Sequence, residues 1–140
     1  MSTIVTRAGK GSPLTHTELD ANFDNLNSDK AGYITGEGGA VTQATSKSTG
    51  VTLNKRCGQI TMNNATLNAD TTVSFTLTNS TIAATDLLVL NHVSAGTAGA
   101  YLLNAQCAAG SASINVRNIT AGNLGEAIVI GFAVVKAVAA

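Results

Sequence analysis

Two histidines, two cysteines and a scatter of carboxylates are the groups with which this chain could do chemistry. His92 follows Asp86 by six residues, so one straight strand places both on the same face, as a base and its orienter would need. No Gly-x-Ser-x-Gly nucleophile accompanies them. His16 falls in the first turn of an expected helix, far along the chain. Catalysis requires a nucleophile, a base and oxyanion donors placed together, so no catalytic residue is assigned and the chain is expected not to be an enzyme. Cys57 and Cys107 stand fifty residues apart, without a second pair or a neighbouring histidine. Zinc ligation has no support in that spacing, and two half-buried thiols are expected ahead of a disulfide in a reducing cytosol. Glu18, Asp20, Asp24 and Asp29 lack the alternating ligands of a calcium loop and read as a solvated helical face. Gly36-Glu-Gly-Gly39 lacks the Lys-Ser/Thr ending of a phosphate loop and reads as a hinge. No metal and no cofactor are expected.

The elements that position these residues fall into two regions, an arm, helix and hinge over 1–38 and a β-domain over 39–140. Residues 2–6 suggest a short strand, and Arg7 to Ser12 a flexible link. A helix follows with a well-defined start. Thr15 can cap it, Glu18 can close a capping box, and Leu14 and Leu19 occupy the positions of a hydrophobic staple. Its end is expected between Ser28 and Lys30, before Gly32. Leu19, Phe23 and Leu26 recur at i, i+4 and i+7, a narrow apolar seam. A helix this short is marginal alone in water, so the seam needs a partner: the β-domain, symmetry mates, or a groove on another protein.

From Ala40 onward the period shortens to two. Strands are expected near 40–45, 51–54, 59–62, 72–78, 87–93, 100–107, 113–119 and 127–138, with Asn63-Asn64 as a turn. The uniformly apolar run Leu87 to Val93 suggests a central strand. Eight short strands separated by Gly, Asn and Ala turns predict a mainly β chain, a two-sheet sandwich of jelly-roll type.

Composition narrows the function further. Of 140 residues, 44% are apolar and only 11% charged, with eight basic and eight acidic side chains and no tryptophan. That is too apolar for a disordered chain and carries no electrostatic footprint for nucleic acid. The apolar run 127–140 is too short to span a bilayer, and no basic segment leads into an apolar stretch at the start, so neither membrane insertion nor a secretory signal is expected. Ser, Thr, Asn and Ala make up nearly half the chain. Such a neutral surface loses little hydration when pressed on another protein, which favours assembly.

Thr3-Ile-Val-Thr-Arg7 with Gly11-Ser-Pro-Leu-Thr-His-Thr-Glu-Leu-Asp-Ala-Asn-Phe-Asp-Asn-Leu-Asn27 resembles a segment that opens many tailed-bacteriophage virion proteins, tail fibres and small structural proteins among them. The stretches Gly39 to Asn54 and Glu126 to Lys136 look like a recurring β-domain of phage structural proteins. The resemblance implies attachment through the N-terminal arm and helix and an outward β-module that is often trimeric. On that reading Ile4, Val5, Arg7, Leu14, Leu19, Phe23 and Leu26 form the anchor, to the major capsid protein or a tail protein. Small size and a neutral surface favour a capsid decoration or cement protein, made in the host cytoplasm and assembled on the virion. The alternative is a short tail fibre or adaptor, whose β-domain binds a host receptor or glycan. For the latter Tyr101, after a Gly96 to Ala100 loop, is the one aromatic platform the chain offers; the favoured alternative makes it a rim residue with its hydroxyl in water.

Overall fold

The computed structural model describes residues 4–28 and 36–137. The expected helix end beyond Ser28, together with Asp29, Gly32, Tyr33 and the first residues of the arm, lies outside the described residues.

In the described residues eight strands form two four-stranded sheets packed face to face, the two-sheet sandwich read from the sequence. They are β1 (Ala40–Thr42), β2 (Val51–Thr52), β3 (Cys57–Thr61), β4 (Thr72–Thr78), β5 (Leu87–Ser94), β6 (Tyr101–Ala108), β7 (Ser111–Asn118) and β8 (Val129–Val135). Sheet A has the order β1-β3-β8-β5 and sheet B the order β2-β4-β7-β6. Among the described strands only the β6–β7 hairpin, turning at left-handed Gly110, stays within one sheet; the other connections between them cross to the opposite sheet. Two edge pairings, β1 with β3 and β2 with β4, are parallel.

The core is the sum of the inward positions of both sheets. Ile60, Ile130, Phe132 and Val134 from sheet A meet Phe75, Leu77, Ile114 and Val116 from sheet B. Alternation along β7 and β8 was legible because each strand buries one face only. Gly58 is required here by space: a Cβ would lie 2.6 Å from the Gly39 carbonyl and 2.8 Å from Leu53.

The run Leu87 to Val93 is a correction. It pairs only with β8 and forms an edge of sheet A. It reads as uniformly apolar because its outer face also carries Leu87, Val89 and Val93, which are exposed. An apolar outer face imitates the composition of a central strand.

Polar side chains buried in the sandwich are all paired; no buried side-chain nitrogen or oxygen among the described residues lacks a partner. Asn118 donates to the carbonyls of Leu67, Asn68 and Gly122 and accepts from the amide and hydroxyl of Thr120. Asn79 donates to the Lys55 carbonyl and accepts from the amide and hydroxyl of Thr81. Both are Asn-x-Thr turns that close a strand end and satisfy backbone groups that no ladder reaches.

Candidate functional site: an inverted helix and its arm

In its described part the arm differs from the expected strand and flexible link. Residues 4–6 are irregular, and Arg7–Lys10 make a single helical turn, α1. Thr6 caps it by accepting from the Gly9 amide, and left-handed Gly11 ends it with its amide on the Arg7 carbonyl. Glycines in Arg7 to Ser12 were read as flexibility, whereas Gly11 serves as a C-cap.

The main helix, α2 (His16–Ser28), starts as the sequence requires. Glu18 accepts from the Thr15 amide at 2.8 Å, and the Glu18 amide donates to the Thr15 hydroxyl at 3.2 Å, a reciprocal capping box. Lys10 Nζ reaches the same Glu18 carboxylate at 2.5 Å and ties α1 to α2. Lys10 first, and Thr15 after it, push the Glu18 carboxyl down to about 2.

A further tie lies at Asn22, whose side chain binds both the amide and the carbonyl of Val5, at 2.8 and 2.7 Å. Glu18, Asn22 and Asn25, at i, i+4 and i+7, are therefore the half-buried stripe of the helix. The apolar seam lies about 100° round the helix from that stripe. Leu19, Phe23 and Leu26 are 43, 63 and 54% exposed. The helix is thus inverted: the arm covers its polar stripe and the apolar stripe faces water. Among the described residues the seam is exposed and not buried against a strand. Ile4, Val5 and Arg7 are exposed beside it, and Leu14 is half-buried.

Tyr101 sits at the rim of the core. Its ring is half-buried against the core and meets His92 edge-on, with centroids 5.6 Å apart. Its hydroxyl donates to Glu126 at 2.6 Å. Glu126 also accepts from the amide and hydroxyl of Thr97, at 2.9 and 2.6 Å. Thr97, then Tyr101, push the Glu126 carboxyl down to about 2, while burial and that carboxylate raise the Tyr101 phenol above its ordinary value. One carboxylate therefore organises the β5–β6 loop. Gly96 is left-handed there, and a Cβ would stand 2.5 Å from Ile128 and 2.8 Å from Glu126. A recess of about 400 Å³ opens beside Asn91, His92, Gly99, Tyr101 and Leu103.

Asp86 and His92 share a strand parity but not a site. Asp86 is buried and binds Lys136 at 2.7 Å and the Ala83 amide. Burial raises its carboxyl, but Lys136 with the Ala83 and Ala137 amides outweighs this, and the net shift is downward. His92 Nε2 donates to the Ala95 carbonyl at 2.6 Å. Six residues of strand separate them by roughly 20 Å. Cys57 and Cys107 are free, half-buried thiols on different sheets. Burial, then the Asp86 charge, push the Cys107 thiol up.

Sequence reasoning missed Asn22, Lys47 and Glu126. Lys47 is buried and donates to the carbonyls of Asn63 and Glu126, and burial lowers its pKa against the opposing pull of Glu126. None of the three belongs to a local motif; their partners lie 16 to 79 residues away. Comparison with protein-family models, with known proteins and with solved structures found no match for this chain.

Proposed function

We propose that the chain is a non-enzymatic structural protein of a tailed-bacteriophage particle, a capsid decoration or cement protein that binds the shell as a homotrimer and stabilises it. The observation that carries this reading is the inverted helix, with Leu19, Phe23 and Leu26 turned to solvent while the arm is tied to the other stripe. A ridge held in place before binding loses little conformational freedom on docking. Burying side chains of this size contributes about 1.5–3 kcal/mol each, so the ridge of one copy supplies on the order of 5 kcal/mol. Three linked copies multiply that through effective concentration. The neutral sandwich then lies outside the anchor, on the shell surface.

The test is rebinding of purified protein to particles stripped of it. Wild type saturates its sites, and Phe23→Ala lowers occupancy at least tenfold at the same concentration. Full occupancy by Phe23→Ala overturns the anchor.

A second reading is a short tail fibre or adaptor that binds a host receptor or glycan. The recess beside Tyr101 favours it, since His92 stands edge-on to the aromatic ring there and Asn91 also lines it. A glycan-array signal lost in Tyr101→Ala supports this reading, and absence of binding to host cells at high concentration removes it.

A further inference from the structure

The exposed ridge of α2 has two unlike flanks. On one side the arm is tied to Glu18 and Asn22. On the other side, about 100° round the helix from the ridge, stand Asp20 and Asp24, both exposed. Among the described residues no hydrogen bond or ion pair reaches either carboxylate. They lie at i and i+4, where like charges repel. Asp20 is also one turn before Phe23, so the acidic flank and the exposed ring are neighbours on the helix surface. The cations of the described chain are engaged elsewhere. Lys10 pairs with Glu18, Arg117 with Asp70 and Lys136 with Asp86. Lys47 donates to the carbonyls of Asn63 and Glu126, Lys55 donates to that of Gly36, and Arg56 has a partner too. Arg7 belongs to the arm, on the other flank of the ridge.

We infer that α2 docks in an apolar groove of a different protein, whose rim on the Asp20–Asp24 side carries Lys or Arg side chains. The inference deepens the reading above, and rests on it, by giving the chemistry of the surface that takes the anchor. Charge selects this occupant over a second copy. Two ridges packed on each other set Asp20 and Asp24 against carboxylates, either their own counterparts or Glu18. The groove on sheet A, between Val89 and Gly38-Gly39, has no charged side chain in its lining, so it offers the acidic flank nothing. A groove with a basic rim relieves the repulsion between Asp20 and Asp24 and steers the helix during encounter. It also fixes the direction of binding. The arm occupies the other flank, so cations are needed on one rim alone, and one charged rim sets which way along the groove the helix runs. The ridge and the flank then have separate effects. Charges at a rim act on association, whereas the apolar ridge acts on dissociation.

The test is the kinetics of rebinding to the stripped particles, at low salt and at about 0.5 M salt. The wild type associates about tenfold more slowly in the high salt. Asp20→Asn combined with Asp24→Asn lowers the low-salt association rate by about tenfold, leaves dissociation nearly unchanged and removes most of the salt dependence. Phe23→Ala acts on dissociation instead. Glu37→Gln, which neutralises a carboxylate outside α2, changes neither rate. Where the double variant loses helix by circular dichroism, Asp24→Asn alone serves, with an effect of about threefold. An association rate indifferent to salt and to both Asn substitutions, with Phe23→Ala still released, overturns the basic rim and leaves the ridge as the anchor. Faster association of the double variant means an acidic rim and also overturns the inference. A wild type that does not rebind, or a Phe23→Ala chain that rebinds in full, overturns the anchor and the inference with it.

Discussion

Asn22 holds the backbone of Val5 from both sides, accepting from its amide at 2.8 Å and donating to its carbonyl at 2.7 Å. A side-chain amide here replaces a strand partner and fixes which stripe of α2 the arm covers. Asn22→Ala removes both bonds and releases the arm while leaving the sandwich alone. Trypsin then cuts after Arg7 or Lys10 several-fold faster, and the β-domain retains its melting temperature. Unchanged cleavage would show that Asn22 does not hold the arm.

The capping carboxylate gives this region an acid limit. Glu18 is held at about 2 against an ordinary 4.5, chiefly by Lys10. The unfolded segment takes up the proton first as pH falls, so the stabilisation is complete above about 4.5 and is lost on the way down to about 2. Carboxyl NMR shifts should place the Glu18 midpoint near 2 and, in Lys10→Gln, move it up toward 4.5. Glu126 has the same window, and its midpoint rises in Thr97→Val. A wild-type Glu18 midpoint near 4.5 would mean that the clasp is not formed in solution.

Phe23→Ala separates folding from attachment. The ring is 63% exposed, so its removal changes the melting free energy by no more than about 0.5 kcal/mol. A loss of several kcal/mol in urea unfolding would place Phe23 inside the fold of a single chain and remove the ridge.

Asn118 carries the opposite expectation. Asn118→Ala leaves the Thr120 amide without its acceptor and removes one donor from each of the carbonyls of Leu67, Asn68 and Gly122, which keep another. An unsatisfied buried group costs roughly 1–3 kcal/mol, so a loss of about 2 kcal/mol and about 6 °C in melting temperature is expected. A melting temperature within about 2 °C of wild type would mean that water replaces the side chain at little cost.

The sandwich was legible because burial on one face writes a period of two into the sequence. Val73, Phe75 and Leu77, like Ile128, Ile130, Phe132 and Val134, mark their strands by alternation alone. The start of α2 was legible too, since a capping box is local chemistry between Thr15 and Glu18. What failed was the central position expected for Leu87 to Val93. The apolar strand β5 lies at an edge, because apolar character reports a need for cover and not its source; the exposed seam of α2 poses the same question of cover. The Tyr101 hydrogen bond was not legible for a related reason: its partner Glu126 is 25 residues away, and only the fold brings the two together.

The central claim, that this chain is a repeated component of a phage particle, is tested most directly by its copy number in purified particles, measured by quantitative mass spectrometry against the major capsid protein. The account predicts a number comparable to that of the capsid protein. A handful of copies per particle would contradict the decoration reading and move the chain to the tail, and none at all would contradict the claim itself.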